Sequence, residues 1–112
     1  MLSKELVAAS SRPLVLSILA CGENYGYSIL QEVKRLSKGE FEWTDGMLYP
    51  VLHKLEREGL VKACWRKAES GRRRKYYCLS KSGSRELDEG RKQWATVNRT
   101  LNKAWRAMPC SS

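Results

Sequence analysis

The clearest helical pattern of the chain lies between residues 44 and 59. Apolar side chains recur there at the i, i+3, i+4 and i+7 spacing that places them on one helix face, at Leu48, Val51, Leu52 and Leu55. Thr44 and Gly59 are suited to begin and to end this helix. Pro50 lacks an N–H donor, so we expect it to distort the first turn or to delay the start of the regular helix. The pattern predicts one buried face and one face offered to a partner.

Two further apolar stripes precede this helix. Because proline is best tolerated in the first turn, Pro13 predicts a helix over residues 13–20, preceded by a short separate helix or a flexible arm. Asn24 is suited to cap a second helix that reaches about residue 37. Residues 40–43 alternate acidic and aromatic side chains, which indicates a short strand or a turn. The second and third helices, joined by a short connection, are typical of a helix-turn-helix.

Two segments rich in β-formers follow, at residues 60–67 and 72–79. The residues between them, AESG, are typical of a turn. They predict a β-hairpin with a basic tip, and a helix-turn-helix followed by such a hairpin is a winged helix. The predicted fold is therefore mainly α with a small β-hairpin, and its winged helix-turn-helix occupies residues 1–79.

The last predicted helix begins after Ser80, a good N-cap, and reaches about residue 108, a length of roughly 40 Å at 1.5 Å per residue. A helix of this length after so small a domain indicates a dimerisation helix over residues 80–108, since two-fold dimers are the commonest oligomers. The alternative is that it folds back on its own domain. Residues 109–112 are expected to form a flexible tail. The predicted dimer contacts follow a heptad pattern at Leu87, Trp94, Val97, Leu101, Ala104 and Met108.

The charge of the chain indicates what kind of partner it binds. The chain has 112 residues, a formal net charge of +9 and a pI of about 9.7. Its size indicates one domain, and its charge indicates an anionic partner such as nucleic acid. Residues 62–85 contain nine basic residues against the single acid Glu69, and the nine are Lys62, Arg66, Lys67, Arg72, Arg73, Arg74, Lys75, Lys81 and Arg85.

Several classes of function are disfavoured by the sequence. Four cysteines without C-x-x-C spacing and a single histidine, His53, argue against a zinc site and for free thiols in a reducing cytoplasm. We found no secretion leader, no apolar run long enough to cross a bilayer and no cofactor motif. The sequence also lacks a nucleophile motif and paired carboxylates in an apolar setting, so we expect no enzymatic activity.

Five short segments together match a known pattern of order and spacing. They are residues 26–29 (GYSI), 46–52 (GMLYPVL), 54–60 (KLEREGL), 71–79 (GRRRKYYCL) and 80–83 (SKSG). In these segments, and over about residues 12–105, the chain resembles the PadR family of bacterial transcriptional regulators. In that family a Leu-Tyr-Pro step is usual at the start of the recognition helix, which accounts for Pro50.

The resemblance implies a homodimer whose two winged helices bind a palindromic operator in double-stranded DNA, while the C-terminal helices form the dimer contact. It implies the short form of the family, with one C-terminal helix, and we expect this regulator to act as a repressor that is open to control by a ligand. Some short members that sense drugs have a tryptophan corresponding to Trp94 at the dimer centre, where flat aromatic ligands stack. Pro13 is a departure, because it is expected to break the long N-terminal helix of those drug sensors.

DNA binding requires cations for phosphates and side chains that reach base edges. We expect Tyr49 and His53 to lie near the groove, and Lys54 and Arg57 to contact phosphate. The alternatives are a half-buried structural tyrosine, a solvated histidine and, for the basic run, a solvated charged face. The predicted contacts are Thr44, Asp45, Gly46, Tyr49, Pro50, His53, Lys54 and Arg57 on the third helix, and Arg72, Arg73, Arg74 and Lys75 on the wing.

Two alternatives concern the role of the tryptophans and the nature of the binding partner. Trp65 and Trp94 are candidates for binding a planar aromatic effector, although aromatic residues at helical spacing more often serve packing. A winged helix can also bind RNA or a protein, with DNA contact secondary, because fold alone does not determine function.

Overall fold

The computed structural model describes residues 2–109. The elements run α1 (Lys4–Ala20), β1 (Asn24–Tyr25), α2 (Gly26–Leu36), α3 (Asp45–Arg57), β2 (Val61–Lys67), β3 (Arg73–Leu79) and α4 (Lys81–Arg106). These elements confirm the predicted fold, mainly helical with a small sheet. The flexible tail predicted for residues 109–112 lies, except for Pro109, outside the described residues.

The first helix is longer than the sequence predicted. α1 runs without a break through Pro13 and is capped by Ser3, whose side chain accepts from the N–H of Leu6 at 3.2 Å. The prediction that the helix begins at Pro13 was therefore wrong, and so was the expected break in a long N-terminal helix. An internal proline removes one backbone hydrogen bond and its ring crowds the carbonyl four residues earlier, at a cost of about 3 kcal/mol. The apolar side chains that follow it are buried and hold the helix in the core, namely Val15, Leu16, Ile18 and Leu19.

A short strand replaces the predicted cap of the second helix. Asn24 lies in β1 and pairs with Tyr77 of β3, so it does not cap α2. The residue that precedes α2 is Tyr25, which makes no side-chain capping bond. The described sheet is antiparallel, with the order β1-β3-β2. A strand of two residues is too short to show an alternating pattern in the sequence.

The connection between α2 and α3 is a turn. Lys38 and Gly39 have positive φ angles of 52° and 82°, which end the helix and redirect the chain. Phe41 and Trp43 pack against the core with ring centroids 6.4 Å apart. The turn lies at residues 37–39, and residues 40–43 form no strand and contain a bend at Phe41.

The third helix follows the predicted pattern closely. α3 begins at Asp45, directly after Thr44, and Leu48, Leu52 and Leu55 are fully buried. Pro50 does not delay the start of the helix. The carbonyl of Thr44 accepts hydrogen bonds from the N–H groups of both Met47 and Leu48, at 3.0 Å each, an arrangement that is common at helix termini.

The corner after α3 joins the winged helix to α4. Gly59 has a φ of 75°, and its carbonyl accepts from the Ser80 hydroxyl at 2.7 Å. The Ser80 N–H donates to the carbonyl of Leu60 at 3.0 Å, and the same hydroxyl caps α4 by accepting from the N–H of Gly83. Gly83 lies so close to this corner that a Cβ would overlap the Leu60 carbonyl oxygen. The backbone contact at Gly83 therefore fixes the start of α4.

Only the first part of α4 packs against its own domain. Leu87 belongs to the protomer's own core, with 8% of its surface exposed, and Trp94 is half-buried. The helix ends at Arg106, two residues earlier than predicted. The remaining apolar side chains of the stripe point away from the domain, and among them Val97, Leu101 and Met108 are between 41% and 55% exposed.

A pair of glycine substitutions tests the corner. We expect Gly83→Ala to lower the free energy of unfolding by roughly 1–3 kcal/mol, the usual cost of forcing extra atoms into a packed site. Gly90→Ala is the control in the same helix, because a Cβ there meets nothing within 4 Å. This control should raise stability by about 0.5–1 kcal/mol, the usual gain when alanine replaces glycine in a helix. Equal effects in urea denaturation would contradict the close contact.

Candidate nucleic-acid interface

The outer face of α3 is open to solvent. Every residue that the sequence assigned to this face is exposed, namely Thr44, Asp45, Gly46, Tyr49, Pro50, His53, Lys54 and Arg57. The three buried leucines hold the opposite face of the helix in the core, so the outer face is presented on a rigid element. Gly46 and Pro50 also line a groove between α1 and α3.

Tyr49 lies at the edge of this face, against the start of α2. Its hydroxyl oxygen lies 2.7 Å from the position that a Cβ on Gly26 would occupy, and 40% of the residue remains exposed. The Tyr49 and His53 rings are 6.1 Å apart. Tyr49 is thus both packed and accessible, and Gly26 is a positioning residue that sequence reasoning missed.

The hairpin register divides the basic wing residues between two faces of the sheet. Lys67 pairs with Arg73, and Trp65 pairs with Lys75, on the same face as the buried Tyr77. Alternation along a strand places Arg66 and Arg74 on the opposite face. Their contacts agree, because Arg66 pairs with Glu23 and the Arg74 guanidinium lies 4.2 Å from the Tyr25 ring centroid.

The face that carries Lys67 and Arg73 is the one on which α3 lies. Lys75 shows this directly, since its ammonium lies 3.5 Å from the Glu56 carboxylate of α3. Arg73 lies over the Trp65 ring at 5.5 Å and is exposed. Arg72 is in the turn, where its carbonyl accepts from the Ala68 N–H. The register therefore places Lys67 and Arg73 on the same face of the wing as Lys75, toward the tip of the hairpin. Lys67 was not among the predicted contacts, because its position on this face depends on a register that the sequence does not give.

The charge pattern of this surface is set by which acids are already paired. Glu56 pairs with Lys75, and Glu58 pairs with Arg12. A hydrogen bond from Arg12 holds the pKa of Glu58 below its usual range. Within residues 2–109, no ion pair engages the exposed cations of α3 and the adjacent wing face, which are Lys54, Arg57, Lys67 and Arg73. A surface of this kind attracts a polyanion.

A second concave site lies between α1 and α4. It is a cleft of about 380 Å³ whose walls include Leu16, Leu87 and Trp94, with Arg12 and Glu89 among its polar groups. Trp65, the other candidate for ligand binding, is 57% exposed on the wing beneath Arg73. The structure therefore places the two tryptophans in different parts of the molecule.

Within the described part of the chain, no group of three or more histidine, cysteine, aspartate or glutamate side chains could hold a metal ion. Cys21, Cys64 and Cys78 are free thiols. None of the helices in residues 2–109 combines the length and apolar character needed to span a membrane.

Known proteins resemble the chain over most of its length. The transcriptional regulator PadR-like family matches residues 15–89. A PadR family transcriptional regulator from Eggerthella lenta is 30% identical, with a TM-score of 0.78 over 93% of this chain and 88% of that one. A PadR family transcription regulator from Clostridium difficile is 28% identical, with a TM-score of 0.77 over 86% and 98%. An uncharacterized protein from Lysinibacillus sphaericus is 26% identical over 91% of this chain and 94% of its own length.

Arg73 and Arg74 lie on opposite faces of the wing, so their substitution should affect DNA binding differently. If DNA lies on the side of α3, Arg73→Ala should weaken binding to all sequences and flatten the slope of log K against log salt by about 0.9 per lost phosphate contact. Arg74→Ala is the matched control, because Arg74 lies on the opposite face against Tyr25. Fluorescence anisotropy at several salt concentrations measures both slopes. A larger change for Arg74→Ala would place the DNA on the other face.

Proposed function

The chain belongs to the PadR-like family of transcriptional regulators, and from this premise we propose that it is a homodimeric repressor that binds a palindromic operator. Family members are DNA-binding regulators, not enzymes. The observation that carries the proposal is the exposed outer face of α3, with Lys67 and Arg73 on the wing face that α3 packs against and in no ion pair within residues 2–109. A regulator that binds the chromosome of a bacterium acts in the cytoplasm.

The exposed residues of α3 are proposed to contact two different parts of DNA, the base edges and the phosphates. Tyr49 lies in the N-terminal half of α3, the part of a recognition helix that usually meets base edges, and the His53 ring is 6.1 Å from it. Lys54 and Arg57 extend the cationic surface and are suited to phosphates. On the wing, Arg73 and Lys67 are the preferred phosphate contacts, Arg72 follows in the turn, and Lys75 is partly engaged by Glu56.

The homodimer is supported by the exposed apolar stripe of α4. Beyond Glu89 the helix carries only basic charged residues. A second copy would cover the exposed apolar side chains of this stripe. The dimer residues proposed are Trp94, Val97, Leu101, Ala104 and Met108, whereas Leu87 contributes to the protomer's own core.

Repression is the simplest regulatory outcome of this architecture. A dimer bound across a promoter excludes polymerase by its volume alone, and this mechanism requires no additional contact surface. Activation would require a surface that contacts polymerase. We therefore propose repression.

The RNA alternative is less compatible with the geometry. A-form RNA has a deep, narrow major groove that side chains cannot read, whereas the B-DNA major groove admits an α-helix such as α3.

A gel-shift experiment separates these functions. Duplex DNA from the promoter region next to the protein's own gene is the probe, and excess single-stranded and duplex RNA are the competitors. We expect a shift that survives RNA competition and that disappears with an excess of the same unlabelled duplex. Scrambled duplex should compete roughly 10³-fold less well, the lower end of usual specificity ratios. A shift abolished equally by RNA would contradict sequence-specific DNA binding.

A response to a planar aromatic effector is proposed for the cleft at Trp94. The support for this proposal is the half-buried indole of Trp94, since the rest of the lining mixes apolar residues with Arg12, Glu86 and Glu89. Trp65 is not part of this cleft, so we assign the effector site to Trp94.

Tryptophan fluorescence tests this assignment. A planar aromatic dye should quench the fluorescence saturably in the wild type and in Trp65→Ala, because Trp65 lies on the wing. The saturable component should vanish in Trp94→Ala. Quenching that persists in Trp94→Ala and is lost in Trp65→Ala would place the effector on the wing instead.

A further inference from the structure

One arginine connects the recognition helix to two other helices. Arg12 of α1 donates two hydrogen bonds to Glu58, from Nη2 to Oε1 at 2.6 Å and from Nη1 to Oε2 at 3.1 Å. It also donates to Oε2 of Glu86 in α4, from Nε at 3.0 Å and from Nη2 at 2.6 Å. Glu58 is the C-cap residue of α3. Arg12 therefore holds one carboxylate from each of these helices.

The position of Glu58 in the sequence offers it a different partner. Lys54 precedes it by four residues, a spacing at which oppositely charged helix residues normally meet, and Arg57 is adjacent. The positive charges of Lys54 and Arg57 also act on Glu58, although the hydrogen bond from Arg12 is the largest cause of its lowered pKa. In the described residues neither Lys54 nor Arg57 forms an ion pair. The carboxylate is thus hydrogen-bonded to α1 and forms no ion pair with either cation in the described residues, although both act on its pKa.

Stability alone does not account for this arrangement. The Arg12 and Glu58 side chains are 33% and 37% exposed, and ion pairs this accessible usually add little to folding stability. The fork is nevertheless specific to arginine, because a planar guanidinium can bind one carboxylate through two parallel bonds while a further N–H reaches a second. A lysine would provide a single point of contact.

We propose that Arg12 sequesters the Glu58 carboxylate and thereby keeps Lys54 and Arg57 available for DNA phosphates. This inference rests on the proposed function, because it concerns the affinity of the same surface for DNA. Without Arg12, Glu58 turns toward Lys54, cancels one positive charge of the recognition helix and repels the phosphate that this charge would contact. Arg12 is a positioning residue that acts through Glu58 and does not touch DNA itself.

A double substitution distinguishes this role from a purely mechanical one. Arg12→Gln should weaken operator binding roughly three- to tenfold and reduce the slope of log K against log salt by about 0.9 per subunit, the effect of one lost phosphate contact. Arg12→Gln combined with Glu58→Gln should restore both quantities to within about twofold, because the competing carboxylate is gone. Glu58→Gln alone should bind at least as tightly as the wild type. Glu86→Gln is the matched control, since it leaves the pair of Arg12 with Glu58 in place.

Two other outcomes would contradict either the role of Arg12 or the proposed function itself. If Arg12→Gln binds like the wild type, or if the double variant stays as weak as the single one, sequestration is wrong and Arg12 only braces the helices. If the wild type itself binds no duplex, the proposed function fails, and the inference fails with it. Thermal unfolding of each variant is measured first. Should Arg12→Gln not fold, Arg12→Lys with and without Glu58→Gln replaces it, and the same restoration is expected.

Discussion

The backbone of Gly83 lies against the carbonyl of Leu60, and the direction of the longest helix depends on this contact. Leu60 directly follows the turn that ends α3, and Ser80 binds the same turn through its backbone N–H and its hydroxyl. The end of the recognition helix and the beginning of α4 therefore form one rigid corner. In a dimer built through α4, such a corner would transmit the spacing between subunits to the spacing between recognition helices. Arg12 adds a third helix to the same region by binding Glu58 and Glu86.

Electrostatics determines which part of this surface can meet DNA. The chain has many more cations than acids, but the positions of these charges determine which surface can meet DNA. Glu23 neutralises Arg66 on the face of the sheet that carries Arg74, whereas Lys67 and Arg73 remain unpaired, within residues 2–109, on the wing face that α3 packs against. Burial of Leu48, Leu52 and Leu55 fixes which side of α3 faces outward. Apolar packing thus orients the helix, and pairing of Glu56 and Glu58 leaves Lys54 and Arg57 exposed, while Asp45 is an exposed acid at the start of α3 that forms no ion pair within residues 2–109.

The sequence predicted those features that depend on a repeating pattern. The stripe of α3 and the hairpin are confirmed, and so is the cap at Ser80, which was predicted from one residue. Two other predictions from one residue were wrong. Pro13 was expected to start a helix and lies inside one, because the cost of an internal proline does not outweigh the core contacts that follow it. Asn24 was expected to cap a helix and lies in a strand, because its partner Tyr77 is distant in sequence. The two faces of the wing and the Gly26 contact with Tyr49 likewise depend on long-range pairing.

The central claim is that two copies of α3 read DNA as a pair held at a fixed distance. Hydroxyl-radical footprinting of the wild-type protein on its operator tests this most directly. The account predicts two protected regions on one face of the duplex, separated by about 10 base pairs or roughly 34 Å, as for adjacent major grooves read by a symmetric dimer. A single protected region, at protein concentrations that saturate the site, would contradict it.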